Sequence, residues 1–491
     1  MSVATRRGGR WLLVLVLAAL LAGVLLWRGW RDEPPSAQAL SLMKEPERPA
    51  VAGDNAYFAL LGFDAGEGID PAAAGKQMLA DYESQLTHDP AELDRVAWAG
   101  LGAKALGDKP LHVSRNVLEL CAGKQLTAVA CFVAMRPEID KLAQENAVLL
   151  RRYRELVALR GYRNPATPSP FAPRPPFADL QRASNLVWVD AVHDVWRGEV
   201  AGFLARAEQE LNFWRMMLRE ADTLFMKIVA TSYLRRDYGL LSDVVASFPD
   251  RVKTDRERWL RLAQPLSGEE VEWGTPLRRE FRVNARSFRV VADAELGSDA
   301  CKARIGKDCP TSSDALWSPQ HQFWVKTPLY RPQATINRQA ENFARLLAIA
   351  KEPPGQMIID AKAWHDQRAE SAGKGSDLID WLTYNPVGKK FLQLAAPNVS
   401  ERELARPHDL DGYIRLVNLQ MQITLLGLAD DEVGPFLQTT AAEFTNPYTG
   451  RAMDWDAKTR TLAFGGHGGG LPPSGLLVVS LDPGKAPAGS I

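Results

Sequence analysis

The chain has 491 residues, which is long enough for two or three domains or for one large helical body. Lysine plus arginine number 59 and aspartate plus glutamate number 59, so the formal net charge is zero. That balance argues against a general nucleic-acid binder, which needs a basic excess to neutralise phosphates. A hydrophobic content of 46% with 14 tryptophans excludes wholesale disorder.

An uncharged apolar stretch runs from Trp11 to Trp27, with arginines on both sides. As a helix it would span roughly 25 Å, close to the hydrocarbon core of a bilayer. Tryptophans at its ends, including Trp30, suit the headgroup boundary. The sequence therefore predicts a transmembrane helix over 11–30 that contacts cytoplasmic-membrane lipid. A cleaved signal peptide and a buried core helix are the alternatives, and the charged segment RGWRDEPPS before Ala37-Gln38-Ala39 disfavours cleavage.

The orientation of this anchor is weakly specified by charge, because the basic residues before and after it nearly balance. A ten-residue tail stays in the cytoplasm more easily than a body of some 450 residues. We therefore expect a cytoplasmic tail at 1–10, a single pass through the inner membrane, and a body in the periplasm.

Four cysteines form two local pairs, Cys121 with Cys131 and Cys301 with Cys309. Short-range disulfides are expected for such pairs in an oxidising compartment, and free buried thiols are the alternative. Neither pair has C-x2-C spacing and no histidine lies at finger spacing, so a zinc site is not supported. The sequence predicts no metal and no cofactor.

The predicted fold is mainly α: a multi-helix body with a small C-terminal β-hairpin. Residues 31–53 are proline-rich and predict a stalk, and the body follows over 54–464, with a subdivision near the proline-rich 164–176 as one option. The hairpin is expected within 446–464, and the glycine-rich 465–491 as a flexible tail.

Within the body, apolar residues recur at three- and four-residue steps over 177–247. We expect two or three helices there, with interruptions at Arg197-Gly198 and at Asp237-Tyr238-Gly239. Pro137 should break the helical pattern near Arg136. Residues 276–296 fit both helix and strand periodicity, and the helix interpretation is favoured.

Four segments carry a resemblance: NAYFALLGFDA (55–65), YRPQATIN (330–337), YNPVGK with PHDLDGYIRLVNLQ (384–389 and 407–420), and NPYTGRAMDWDAKTRTLAF (446–464). Their order and spacing resemble a group of proteobacterial envelope proteins that have an N-terminal membrane segment and no assigned activity. The resemblance covers 54–464 and implies a Gram-negative origin and one shared body. It implies no catalytic residue.

One polar cluster stands out in the motif search, His408, Asp409 and Asp411. A histidine with two carboxylates suits a divalent metal or an acid/base pair on a loop. The favoured interpretation is that Asp409 or Asp411 caps the helix that follows.

Three other local patterns give weaker indications of function. Asn385 to Lys390 superficially looks like a phosphate loop but lacks its first glycine and its hydroxyl residue, so nucleotide binding is not expected. His193-Asp194 is interpreted as a solvated or capping pair, because adjacent residues point to different helix faces. Core roles are predicted for Trp188, Trp196 and Trp214, whereas a ligand groove for a peptide, glycan or lipid tail is predicted at Trp317, Trp324, Tyr330 and Trp364.

These observations favour a non-catalytic binding or scaffold protein of the cell envelope, with an envelope protein as its partner. The alternative is a periplasmic hydrolase that acts on cell-wall glycan through dispersed carboxylates. The missing catalytic motifs lean against an enzyme without deciding the matter.

Overall fold

The computed structural model describes residues 31–45, 51, 54–88, 103–121, 126–169, 172–293, 330–373, 384–394, 399–469, 471 and 474–483. Over these residues the chain is mainly helical and ends in a small antiparallel sheet. The predicted mainly α class is therefore confirmed. No helix among them is long and apolar enough to cross a membrane, and the predicted anchor at 11–30 lies outside the described residues.

The first part of the body consists mostly of short helices. The helix break that the sequence predicts near Pro137 is confirmed, since one helix ends at Ala134 and the next begins at Arg136. The helices are α1 (Ala37–Met43), α2 (Ala56–Leu61), α3 (Pro71–His88), α4 (Ala103–Leu106), α5 (Val117–Cys121), α6 (Ala128–Ala134), α7 (Arg136–Glu145) and α8 (Ala147–Val157).

A disulfide joins α5 to α6 through Cys121 and Cys131. This confirms the first predicted pair. In the chain-entropy view, a bridge across ten residues stabilises the fold by roughly 2–3 kcal/mol. The second predicted pair, Cys301 and Cys309, lies outside the described residues.

Three long helices form the centre of the body: α9 (Phe177–Arg197), α10 (Val200–Glu220) and α11 (Leu224–Ser247). The first break falls at Gly198, as predicted, because its φ of 89° is a left-handed conformation that glycine adopts without a Cβ penalty. The predicted break at Asp237–Gly239 is wrong. Asp237 is buried within α11 as the counter-ion of Arg236, and the second break precedes Thr223, whose side chain caps α11.

The next helices begin repeatedly with proline, which suits the first turn, where a backbone N–H is not needed. They are α12 (Pro249–Val252), α13 (Arg256–Leu262), α14 (Gly268–Val271), α15 (Gly274–Asp293), α16 (Pro332–Ile349), α17 (Pro354–Gly373) and α18 (Pro386–Leu394). Helix α15 confirms the helical interpretation of the ambiguous segment at 276–296.

Helix α19 (Glu401–Leu426) is followed by α20 (Asp430–Thr439) and the 3-10 turn Ala442–Phe444. Pro407 lies inside α19, where a proline removes a backbone hydrogen bond. The carbonyl that loses its helical donor is that of Glu403, four residues earlier. The next two carbonyls bond neighbouring elements: Leu404 O accepts from Trp273 Nε1 at 3.2 Å and Ala405 O from Tyr448 Oη at 3.2 Å.

The C-terminal sheet has three antiparallel strands in the order β1 (Asp454–Asp456), β2 (Thr461–Gly465), β3 (Leu476–Ser480). The predicted hairpin corresponds to β1 and β2. The prediction of a flexible tail from 465 fails for the residues that form β3, which pairs with β2 along its length. Alternate residues of β2 and β3, including Leu462 and Val479, are buried and explain the pairing.

Two hydrophobic clusters make up the core. The larger one includes residues on both sides of the proline-rich 164–176, and Tyr82 Oη donates to Thr167 O at 2.8 Å across it. The smaller one lies among α1, α15, α16, α17 and the start of α19. Ala39 and Leu42 of α1 are buried in it, so residues 37–43 are packed against the body rather than part of a free stalk.

Candidate functional site

The site with the most distinctive chemistry is a cleft of about 400 Å³ beside the last turns of α9. Helices α7, α8, α9 and α10 each contribute to it. On α9 the four contributing residues follow the spacing i, i+3, i+4, i+7, which places them on one face. We call this the arginine cleft; its lining residues are Arg136, Arg154, Asp190, His193, Asp194, Arg197 and Arg206.

Two carboxylates hold the four guanidinium groups in place. Asp190 accepts from Arg154 Nη2 at 2.7 Å and lies 3.3 Å from Arg136 Nη2. One turn later, Asp194 accepts from Arg206 Nε at 2.8 Å and from Arg197 Nη2 at 3.0 Å. Asp190 therefore links an arginine of α7 to one of α8, and Asp194 links an arginine of α9 to one of α10.

The lining carries four arginines and two aspartates, an excess of two positive charges when histidine is neutral. At the rim, Asp140 bonds Arg136 at 2.6 Å and Glu199 lies 3.3 Å from Arg197, so these two carboxylates offset that excess. Even so, Arg136 Nη1 is buried without a hydrogen-bond partner among the described residues. An unpaired buried guanidinium N–H is costly. The side chains that a ligand can reach are those of Arg154, Arg197 and Arg206, which are 40–47% exposed.

His193 adds a second unpaired polar atom, since its buried Nδ1 meets no hydrogen-bond partner within the described part of the chain. Burial and the nearby charges of Arg136 and Arg197 lower the pKa of His193 below its usual value. The imidazole is therefore neutral at pH 7 and can donate one hydrogen bond and accept another.

Beside the cleft, the Trp196 ring lies 5.1 Å from the His193 ring, centroid to centroid, and Trp196 is 48% exposed. The prediction of a core role for Trp196 is therefore wrong, whereas Trp188 and Trp214 are buried as predicted. The helical stripe that contains Trp196 continues past the edge of the core. An exposed indole next to ion-paired arginine side chains is a surface on which an apolar or sugar ring can stack.

The arrangement is that of a binding site. Arginine forks match carboxylate and phosphate oxygens in bidentate geometry, and their positions are fixed before a ligand arrives. The lining residues include no serine, cysteine or lysine that could serve as a nucleophile, and both aspartates are ion-paired. The arginine cleft therefore has the geometry and the donors to bind an anion.

The arginine cleft is not predicted by the sequence, in which His193 and Asp194 stand as an isolated adjacent pair. In the structure both line the cleft. The available signal was the run of polar residues at 190, 193, 194 and 197 along one helix face. The contributions of Arg136, Arg154 and Arg206 come from other helices, and no local pattern indicates them.

The polar cluster that the sequence singled out lies inside α19, which begins at Glu401 with Ser400 and Glu403 as its capping box. The capping role predicted for Asp409 or Asp411 is therefore wrong. Each side chain has separate partners. Asp409 accepts from Tyr448 Oη at 2.6 Å and from Gly468 N at 2.6 Å, and Asp411 accepts from Leu266 N at 2.8 Å and pairs with Arg415.

His408 is also buried, and burial together with the charges of Lys227 and Arg415 lowers its pKa to about 4. Among the described residues, no group of three metal-ligating side chains converges here or elsewhere. The carboxylates of the cluster instead hold the Gly468 loop and the Leu266 segment against α19.

Of the four aromatic residues predicted to line a groove, the structure describes Tyr330 and Trp364. Trp317 and Trp324 lie outside the described residues. Tyr330 is buried, donates to Phe288 O at 2.8 Å, and packs edge-on against Phe391. Trp364 packs on the smaller hydrophobic cluster, with the Arg368 guanidinium 4.6 Å from its ring centroid.

A carboxylate pair with raised pKa values is present at Glu210 and Asp237, but it is enclosed in the bundle. Burial and the charge of Asp237 raise the pKa of Glu210 to about 7. Glu210 accepts from Tyr153 Oη at 2.5 Å and from Ser184 Oγ at 2.6 Å. Because both carboxyls are fully buried, a glycan chain cannot reach them, and they do not support the hydrolase hypothesis.

Comparison of the chain with protein-family models, with curated proteins and with solved structures finds no match. The assignment of function therefore depends on the chemistry of the arginine cleft and on the predicted anchor.

Proposed function

We propose that this chain is a single-pass inner-membrane protein whose periplasmic body binds an anionic group of an envelope component, without catalysing a reaction. The observation that carries the binding function is the arginine cleft, in which two aspartates orient four arginines and the side chains of Arg154, Arg197 and Arg206 stay 40–47% exposed. Bound oxygens would contact the exposed edges of these guanidinium groups.

The envelope location is supported by two features. The apolar stretch at 11–27 suits a bilayer, and the Cys121–Cys131 disulfide suits an oxidising compartment. The resemblance to proteobacterial envelope proteins agrees with both. An envelope protein or a cell-wall polymer that carries carboxylates or phosphates fits the cleft as a partner.

Titration calorimetry of the full-length protein in detergent tests the binding function. The probes are inorganic phosphate and malonate, each at constant ionic strength against chloride. Replacement of Arg154 by glutamine removes a cleft donor, and a charge-assisted hydrogen bond contributes about 1.5–3 kcal/mol. We therefore expect Arg154→Gln to weaken binding by roughly 10- to 100-fold.

The matched control is Arg151→Gln, which changes the same net charge on the same helix. Arg151 is 70% exposed and pairs only weakly with Glu155, at 3.9 Å. It should leave the affinity unchanged. Equal losses of affinity in both variants would show that the general charge of the protein, and not the cleft, attracts the anion. If neither phosphate nor malonate binds saturably to the unmodified protein, the proposed function is refuted.

A further inference from the structure

The chain becomes part of the folded body immediately after the predicted anchor. Asp32 accepts from Gln333 N at 2.7 Å and from Ala334 N at 2.9 Å, so it caps the N-terminus of α16. The residue at the cap position of that helix, Arg331, supplies no side-chain cap of its own. A carboxylate three hundred residues earlier in the chain therefore satisfies the first turn of α16.

Asn337 extends this junction. Its Nδ2 donates to Glu33 Oε2 and to Pro34 O, each at 2.9 Å, and its Oδ1 accepts from Ser36 N at 2.9 Å. Tyr384 Oη donates to Arg31 O at 3.2 Å. We call the residues 31–36, with their partners on α16 and Tyr384, the tether clamp.

The clamp leaves little free chain between anchor and body. Trp30 precedes Asp32 by two residues, and an extended chain spans about 3.5 Å per residue. The Asp32 backbone can therefore be no more than about 7 Å of chain beyond the end of the predicted anchor, and the start of α16 is hydrogen-bonded to the Asp32 carboxylate. If tryptophans at 27 and 30 lie at headgroup level, this end of the body has to lie there too.

The elements of the clamp carry exposed basic and amphipathic side chains beside three exposed acidic ones, Asp32, Glu33 and Glu45. Lys389 and Lys390 are exposed on α18, which packs against α16, and Lys44 is exposed just after α1. Leu40 on α1 is 59% exposed and Tyr384 is 39% exposed. Basic side chains can contact lipid phosphates, and exposed leucine and tyrosine suit the interface.

We propose that the face formed by α1, the start of α16 and the start of α18 lies against the headgroups of the bilayer in which residues 11–30 are anchored, with Lys44, Lys389 and Lys390 contacting lipid phosphate. The inference rests on the membrane anchor of the proposed function and is independent of the arginine cleft. The body is thereby held close to the surface in one orientation, rather than suspended on a stalk.

Lysine labelling in lipid nanodiscs tests this arrangement. The full-length protein is placed in nanodiscs of phosphatidylethanolamine and phosphatidylglycerol, treated briefly with a water-soluble amine-reactive ester, and analysed by mass spectrometry. Lys389 and Lys390 should react several-fold more slowly than two exposed reference lysines, Lys253 in the segment after α12 and Lys458 in the turn after β1. Insertion of about ten glycine and serine residues between Trp30 and Arg31 adds roughly 17 Å of flexible reach and leaves the clamp intact.

The insertion should restore the reactivity of Lys389 and Lys390 to that of the reference lysines. Protection that survives the insertion would assign the face to a protein contact, such as a second copy, and would overturn the proposal. Equal reactivity of all four lysines in the unmodified protein would overturn it as well. Release of the unmodified protein from vesicles by carbonate would refute the anchor and this inference together, whereas loss of phosphate binding would affect only the cleft.

Discussion

At the scale of single residues, buried charged side chains fix loops to helices in this molecule. Asp409 is the clearest case, because its carboxylate accepts from Tyr448 Oη and from the backbone N–H groups of His467 and Gly468. A Cβ on Gly468 would lie 2.5 Å from Asp409 Oδ2. The glycine-rich sequence after β2 is thus required for close approach to α19, not for mobility.

Replacement of Gly468 by alanine should therefore be destabilising. The new methyl group displaces a carboxylate that three donors hold in a buried position, and we expect a loss of about 1–3 kcal/mol in the free energy of unfolding. Urea denaturation followed by circular dichroism measures it. Gly465→Ala is the control, since no atom lies within 4 Å of its added Cβ, and a loss equal in both variants would contradict the contact.

Residue roles were predictable only where the partner is close in sequence. The Cys121–Cys131 bridge was found from spacing alone. The role of Asp409 could not be predicted, because its partners lie 39 to 59 residues later in the chain. Asp409 and Asp411 together also resemble the acidic start of a helix. Arg136 and Arg206 approach Asp190 and Asp194 only once the bundle has formed.

At the scale of elements, α19 connects the two hydrophobic clusters and supports the sheet. Leu404 and Ala405 pack in the smaller cluster, and residues from Leu410 onward pack in the larger. Gly412 lies in the middle of this helix, where glycine costs about 1 kcal/mol relative to alanine. The Phe464 ring of β2 occupies the space of the missing side chain, with Cζ 2.3 Å from where a Cβ would lie.

Gly412→Ala should therefore lower stability despite the better helix propensity of alanine. Phe464 is fully buried and cannot move aside without disturbing the packing of β2, so we expect a net loss of about 1–3 kcal/mol. The control is Gly268→Ala in the first turn of α14, where the added Cβ meets no atom within 4 Å. A neutral or stabilising Gly412→Ala, measured by thermal unfolding, would contradict this packing.

The existence of most elements could be predicted from sequence because helical periodicity and caps are local. The three central helices and the helical character of 276–296 followed from that pattern. Strand β3 did not, because the glycine-rich composition before it suggests disorder, and its register depends on β2. Helix α1 was also missed, since its stability comes from Ala39 and Leu42 packing on distant helices.

At the scale of the whole molecule, a buried network joins α8 to the three long central helices, α9, α10 and α11. Tyr153 of α8 and Ser184 of α9 donate to Glu210 of α10, and Arg236 of α11 donates to Ser184 Oγ at 2.5 Å. Arg236 is also paired with Asp237. One cation thus faces two carboxyls, and burial with the Asp237 charge raises the pKa of Glu210 to about 7, so that a proton is retained in the folded state.

This retained proton makes the stability of the fold depend on pH. The pKa of Glu210 is about 7 when folded and about 4.3 when unfolded, so between these values only the folded state holds the proton. Unfolding then releases a proton, and the free energy of unfolding falls as pH rises through this window, by on the order of 3 kcal/mol in total.

Glu210→Gln cannot ionise and keeps an acceptor for Tyr153, so its stability should decline less between pH 5 and pH 7 than that of the unmodified protein. Glu220→Gln, at a position of the same helix whose side chain is 41% exposed, should retain the full decline. Urea midpoints of the three proteins at both pH values measure the difference, and parallel slopes for all three would place the retained proton elsewhere in the molecule.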